Sequence, residues 1–176
     1  MYKLFMQAQL SKTIYFFIGF IGSGKTYVAK QFEKTLQEQG KETCFIEVSD
    51  LVGEAAKAYF GSDSRENKQM IKEKMKDNPR FLIDELIKRI DLATADEVII
   101  SGLRESWIYE ELKRRYKVGD VYLIDADAEA RKNRRSYTDE QFAKAEELDN
   151  KIGVGELVEK VSPIAKRIDN NYEKRV

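Results

Sequence analysis

Residues 19–26 of this 176-residue chain read Gly-Phe-Ile-Gly-Ser-Gly-Lys-Thr. This stretch is a complete G-x-x-x-x-G-K-[ST] motif, whose glycines let backbone N–H groups turn towards a phosphate. The apolar run Tyr15–Ile18 precedes it and predicts a buried strand, and apolar residues recur at helical spacing after Lys25. Because the motif lies between a strand and a helix, its surroundings support a phosphate loop.

The motif predicts where a nucleoside triphosphate and its metal would bind. Lys25 is placed to bridge the β- and γ-phosphates as a catalytic residue, and the Thr26 hydroxyl is placed to ligate Mg²⁺. The helix that begins at Lys25 adds the positive end of its dipole. The alternative is a glycine-rich turn that binds nothing. We therefore expect ATP and Mg²⁺ as cofactors, with ATP held by Gly19, Gly22, Ser23, Gly24, Lys25 and Thr26.

Composition limits the partners. The 31 Lys and Arg residues balance the 31 Asp and Glu residues, which argues against nucleic acid as a partner. Histidine is absent, so chemistry would use carboxylates, Lys, Arg and bound metal. Cys44 is the single cysteine and lies in an apolar run, which predicts a buried thiol in a reducing compartment. No apolar run reaches the roughly 20 residues that cross a bilayer, so we expect a cytoplasmic protein without membrane contact.

Short apolar strands alternate with helices, which predicts a three-layer α/β fold. We expect one domain over residues 1–176, a monomer or homodimer acting on a small acceptor, with helices on both faces of a mostly parallel five-stranded sheet. The continuous run Val98–Ile100 is typical of a strand buried on both faces. The later predicted strands are Thr43–Val48, Glu97–Ser101, Val121–Ile124 and Arg167–Ile168. The later predicted helices are about Asp50–Phe60, Arg65–Met75, Arg80–Ala93, Trp107–Tyr116, Asp127–Arg135, Asp139–Ile152 and Glu156–Val161.

Two helical regions are expected to cover the ligand-binding edge of the sheet. Residues 50–93, approximately, are predicted to hold a phosphate acceptor, with Arg65 as a second ligand for its phosphate. Residues 127–155, approximately, are the second region, and a family resemblance of their first residues implies that they form a lid. The segment Met1–Leu10 fits either an edge strand or a tail.

Residues that directly follow parallel strands meet at one edge of the sheet, where ligands bind. Asp50 follows strand two, and we predict it to cap the next helix and to serve as a catalytic carboxylate and metal ligand. Strand three lacks an acidic residue at its carboxyl end, since Glu97 precedes it. Arg104 follows strand three and is predicted to bind an acceptor phosphate as a catalytic residue. The alternative for Arg104 is a surface ion pair with Glu105 or Glu111.

Together these segments resemble the small P-loop kinases of the nucleoside monophosphate kinase superfamily. The likeness is nearest to the branch of deoxynucleoside monophosphate kinase, dephospho-CoA kinase and phosphomevalonate kinase. Glu47–Val52 resembles that branch's passage from strand two into a helix. Val98–Glu105 resembles the end of its third strand, where Ser101 stands in a position that is often aspartate and Arg104 is kept. The resemblance covers most of the chain and implies the three-layer P-loop NTPase fold.

The same resemblance extends to the lid and the last strand. Asp127–Arg135 resembles the lid entry that closes over the triphosphate, which implies lid arginines that stabilise the transferring phosphoryl group. Arg167–Asn170 resembles the final strand, which implies that Asn170 lies near the adenine. The candidate catalytic lid residues are Arg131, Arg134 and Arg135. The alternative is a solvated basic face packed against Glu140, Glu146 and Glu147.

The resemblance implies an ATP-dependent phosphotransferase. The expected acceptor is a small phosphorylated molecule, first a nucleoside or deoxynucleoside monophosphate. A non-nucleotide acceptor such as dephospho-CoA or phosphomevalonate is the main alternative within the class. A switch-type ATPase without an acceptor, and a binding module that only retains the fold, are the alternatives outside it.

Overall fold

Five strands form one sheet at the centre of the computed structural model, which describes residues 12–64, 66–68, 70–71 and 78–171. The strand order is β2-β3-β1-β4-β5, and every neighbouring pair is parallel. The α/β fold and the five-stranded sheet predicted from the sequence are therefore confirmed. The strands are β1 (Thr13–Ile18), β2 (Thr43–Glu47), β3 (Glu97–Ser101), β4 (Lys117–Asp125) and β5 (Lys166–Asp169).

Helices connect the strands and lie on both faces of the sheet. We number the helices whose ends fall within the described ranges α1 to α7. They are α1 (Lys25–Glu38), α2 (Val48–Phe60), α3 (Phe81–Leu92), α4 (Ser106–Arg115), α5 (Ala128–Arg135), α6 (Asp139–Lys151) and α7 (Val154–Val161).

Alternation along the strands explains the three layers. In β1, Ile14, Phe16 and Ile18 point to one face, where they join a core with apolar residues of α2, α3, α4 and α7. Phe17 points to the other face and packs with residues of α1 such as Ala29. The central strand β1 is therefore covered on both sides, as the apolar run before the phosphate loop predicts.

The structure corrects three details of the sequence interpretation. Helix α2 begins at Val48 with Glu47 as its N-cap, so Asp50 is not the cap. Strand β4 begins four residues before the predicted Val121, since Lys117 and Val118 already pair with Thr13 and Ile14 of β1. Cys44 is half-buried rather than buried, because β2 is an edge strand, and burial raises the pKa of its thiol.

Some predictions fall on parts of the chain that the structure does not describe. The segment Met1–Leu10 and the residue Arg65 lie outside the described residues, as does most of the helix predicted for Arg65–Met75. Among the helices that are described, none is long and apolar enough to cross a membrane.

Candidate active site

The phosphate loop occupies the turn between β1 and α1. Gly22 and Gly24 have φ angles of 77° and 85°, in the left-handed region that glycine tolerates best. A Cβ atom at Gly22 would lie 2.6 Å from the backbone oxygen of Arg131, and one at Gly24 would lie 2.3 Å from Nδ2 of Asn170. Both glycines are therefore required by backbone geometry and by close neighbours.

Two side chains bind the outer surface of the loop. Nη1 of Arg134 donates to the carbonyl oxygens of Gly22 at 3.2 Å and Ser23 at 3.1 Å. Nδ2 of Asn170 also donates to the backbone carbonyl oxygen of Ser23, at 2.8 Å. The backbone carbonyl oxygen of Asn170 accepts from Nη2 of Arg134. The Ser23 N–H donates to the Phe20 carbonyl oxygen at 3.1 Å. Because C=O and N–H of one trans peptide point in opposite directions, the Gly24 N–H, which follows the Ser23 carbonyl, points away from Arg134 towards the free side of the loop.

Arg131 holds the same loop from α5. Its guanidinium lies between the rings of Phe20 and Phe142, with centroids 5.5 Å and 5.1 Å away. Nη2 pairs with Glu146 at 2.6 Å, and Nη1 donates to the Ile21 oxygen at 3.5 Å. Glu146 belongs to the acidic residues against which the alternative interpretation packs the lid arginines, so this ion pair agrees with that alternative. In this structure Arg131 fixes the loop, and its contact with a phosphate stays a prediction.

Lys25 is buried at the start of α1, with 9% of its surface exposed, and its Nζ lies 3.4 Å from the carbonyl oxygen of Phe20. Burial lowers the pKa of Lys25 to about 8, and the positive charges of Arg104 and Arg135 add to the shift. The negative charge of Glu47 opposes it. Arg135 is exposed. In the described part of the chain it is linked to the loop by the effect of its positive charge on the pKa of Lys25.

An oxygen-rich cluster forms where β2 and β3 end beside α1. The Thr26 hydroxyl donates to Oε2 of Glu47 at 2.8 Å, and the buried Ser101 hydroxyl lies 3.5 Å from that of Thr26. Gly102 makes room for this contact, since a Cβ atom there would lie 2.2 Å from Oε1 of Glu47. Hydroxyl and carboxylate oxygens are the ligands that Mg²⁺ prefers, together with phosphate and water. The donor set therefore fits Mg²⁺ bound to a nucleotide.

Asp50 does not take the position predicted for it. It lies exposed in the first turn of α2, and among the described residues the carboxylate bonded to Thr26 is that of Glu47. The sequence interpretation extended β2 to Val48 and so considered Asp50, and not Glu47, as the candidate carboxylate. The signal was present: Glu47 is the charged residue that ends the run Cys44–Ile46.

Arg104 projects into the site from the loop between β3 and α4. Its Nη1 pairs with Oδ1 of Asp149 at 2.7 Å, which replaces the pairing with Glu105 or Glu111 expected as the alternative. Glu111 instead binds Arg115 on its own helix. Asp149 was not anticipated, because no local pattern marks a pair 45 residues apart.

One buried polar atom in the loop has no protein partner. The Ser23 side chain is 1% exposed, and its Oγ makes no hydrogen bond within the described part of the chain. An unpaired buried hydroxyl is unfavourable by roughly 1–3 kcal/mol, so a ligand that bonds to it gains accordingly. This atom fits a phosphate oxygen on the loop.

Comparison with known proteins identifies the fold. No protein-family model matches the chain, and no curated protein matches it. Among solved structures, TT1252 from Thermus thermophilus is 17% identical, covers 92% of this chain and 89% of its own, and has a TM-score of 0.55. A shikimate kinase from Bacteroides thetaiotaomicron is 18% identical over 94% of this chain and 89% of its own, and its TM-score is 0.47. The chain has the P-loop α/β fold, with its phosphate loop after the central strand.

Proposed function

We propose that this protein is an ATP-dependent phosphotransferase. It transfers the γ-phosphoryl group of Mg·ATP to a small phosphorylated acceptor, foremost a nucleoside or deoxynucleoside monophosphate. The observation that carries the proposal is the junction of the phosphate loop with a buried lysine and the Thr26–Glu47–Ser101 oxygen cluster. Phosphoryl transfer depends on positioning and charge stabilisation, and these groups supply both.

The chain's own residues divide the work on the donor phosphates. The Gly24 N–H on the free side of the loop and the Ser23 hydroxyl would bind the phosphate chain. Lys25 would offset the charge that develops on the transferring phosphoryl group, and burial strengthens that effect because the surroundings are less polar than water. Arg131, Arg134 and Arg135 would complete this side as part of a lid over residues 127–155, and Asn170 would lie beside the nucleotide base.

Mg²⁺, when bound, neutralises charge on the phosphates and orients them. Thr26 would hold it with its hydroxyl, and Glu47 would hold it directly or through water. Asp50 would act further out, on the acceptor side of the same edge. Glu47 would also accept a hydrogen bond from an incoming acceptor group.

The acceptor would lie against residues 50–93, with its phosphate on Arg104. Only Nη1 of Arg104 binds Asp149, and the guanidinium presents its other donors in a planar fork that matches a phosphate. A side chain that is 30% exposed remains within reach of a ligand from solvent. Among the described residues, Arg104 thus supplies a cation for the acceptor's phosphate near the carboxyl ends of the strands.

The proposal is tested by ADP release from Mg·ATP. Purified protein is assayed alone and with ribo- and deoxynucleoside monophosphates, dephospho-CoA and phosphomevalonate. We expect strong stimulation by one acceptor, which would name the substrate. Slow release that is indifferent to every acceptor would contradict a kinase for these substrates and favour a switch-type ATPase. Lys25→Ala serves as the inactive control in every assay.

A further inference from the structure

One buried carboxylate joins the phosphate loop to Arg104. Asp149 on α6 is 1% exposed, and its two oxygens bind different parts of the site. Oδ1 accepts from Nη1 of Arg104 at 2.7 Å, and Oδ2 accepts from the backbone N–H of Ile21 at 2.6 Å. Both bonds are short and charge-assisted, a class of bond stronger than neutral ones. A single side chain therefore contacts both halves of the candidate site.

The position of Asp149 is unfavourable for a carboxylate except for these two partners. It lies in the last turn of α6, where the negative end of the helix dipole repels an anion. Burial of an unpaired charge would add a large desolvation cost. Helix α6 is itself fixed at its start by a capping box between Thr138 and Gln141. The helix thus presents a buried anion towards the site from a defined position.

We propose that Asp149 is a positioning residue, which fixes the apex of the phosphate loop and the side chain of Arg104 relative to each other. This inference rests on the proposed function. Ile21 is held from both sides, by Asp149 at its N–H and by Arg131 at its oxygen. Within residues 12–64, 66–68, 70–71 and 78–171, Nε and Nη2 of Arg104 meet no hydrogen-bond acceptor, so they stay available for the acceptor's phosphate.

The test measures binding of Mg·ADP by calorimetry in Asp149→Ala and Asp149→Asn. The alanine variant leaves the Ile21 N–H unpaired in the free protein, so nucleotide binding must order the loop, and we expect an affinity loss of about 10-fold. The asparagine variant keeps an oxygen for Ile21 and is expected to bind more tightly than the alanine variant. Glu111→Gln, which alters an ion pair on α4, is the control with unchanged affinity.

Two results would overturn the inference. If Asp149→Ala binds Mg·ADP as the wild-type protein does, the carboxylate does not hold the loop. If both variants bind more tightly than wild type, Asp149 acts only as an anion that repels phosphate. Absence of acceptor-dependent transfer by the wild-type protein would instead contradict the proposed function and leave these binding results to decide the inference.

The background variant Arg104→Ala separates the two contacts of Asp149. The bond to Ile21 does not involve Arg104, so Asp149→Ala should weaken Mg·ADP binding in this background as well. Disappearance of the effect would show that Asp149 acts through the charge of Arg104 alone, and would contradict a role in fixing the loop. With the acceptor selected by the wild-type protein, Asp149→Asn should raise the acceptor KM while kcat changes less.

Hydrogen exchange tests the same bond without a variant, which covers the case in which Asp149→Ala does not fold. We expect the Ile21 amide of the wild-type protein to be protected before nucleotide is added, since its N–H is already bonded to a buried carboxylate. Exchange as fast as that of an exposed loop amide would contradict the inference.

Discussion

The donor side and the acceptor side of the candidate site differ in how many of their polar groups form hydrogen bonds within the protein. The donor side, defined as the phosphate loop with α5 and Asn170, is held by bonds to its carbonyl oxygens. The acceptor side, defined as the carboxyl ends of β2 and β3 with α2, exposes Asp50, 61% of Tyr59 and part of Arg104.

This difference indicates which side of the candidate site would bind the donor phosphates and which side would select the acceptor. A loop whose shape is set by glycine geometry and neighbouring side chains is ready for phosphate and needs little rearrangement. Side chains exposed on the other side can contact a ligand that enters from solvent, so the choice of acceptor would depend on them. Glu47 lies where the two sides meet, since it contacts Thr26 and lies beside Ser101 of β3.

Removal of Lys25 should have the largest effect, because it takes the buried cation from the donor side. We expect Lys25→Ala to reduce kcat by about 10³-fold or more, since the phosphoryl charge loses its stabilisation. Steady-state phosphoryl transfer is the measurement. Lys34→Ala, which alters an exposed pair with Glu38 on the same helix, is the control. Turnover near wild type in Lys25→Ala would remove the phosphate-loop mechanism.

Glu47 and Asp50 form a matched pair of carboxylates three residues apart, one bonded to Thr26 and one exposed. We expect Glu47→Gln to lower kcat by about 100-fold, since the carboxylate both supports the metal and accepts hydrogen bonds. Asp50→Asn should have a much smaller effect. Turnover is measured over a range of Mg²⁺ concentrations. The reverse order of effects would restore Asp50 as the functional carboxylate and contradict the boundary drawn at Glu47.

Arg104 tests the acceptor side alone. We expect Arg104→Ala to raise the acceptor KM by roughly 30-fold, the loss of a hydrogen bond to a charged phosphate, while the KM for ATP changes little. Initial rates with each substrate varied in turn provide both constants. An acceptor KM that does not move would leave Arg104 as a purely structural partner of Asp149.

The pH dependence of kcat/KM for Mg·ATP should report on Lys25 of the donor side, and it should be the smallest of the predicted effects. The folded-state pKa of Lys25 is lowered to about 8, so the charged form that binds phosphate is lost as the pH rises through that value. We expect kcat/KM for Mg·ATP to fall by about tenfold between pH 7 and pH 9, since this constant reports groups of the free enzyme. A profile that stays flat to pH 10 would show that Lys25 keeps its ordinary pKa.

Local patterns predicted most of the fold and the place of the phosphate loop within it. The loop motif, the alternation of strands and helices and the buried run Val98–Ile100 each depend on neighbouring residues, and the structure agrees with them. The contacts of Asp149 with Ile21 and Arg104 could not be predicted, because only the folded chain brings these distant residues together. Glu47 was missed by a boundary error of one residue, the kind that helix and strand ends commonly produce.

The fate of the γ-phosphoryl group distinguishes a phosphotransferase from an ATPase. Mg·ATP labelled at the γ-phosphate is incubated with the wild-type protein and with Lys25→Ala, each with and without the acceptor that stimulates ADP release. Our account predicts that the label appears on the acceptor with the wild-type protein and that Lys25→Ala abolishes the transfer. Label found only in inorganic phosphate, at a rate that no acceptor changes, would contradict it.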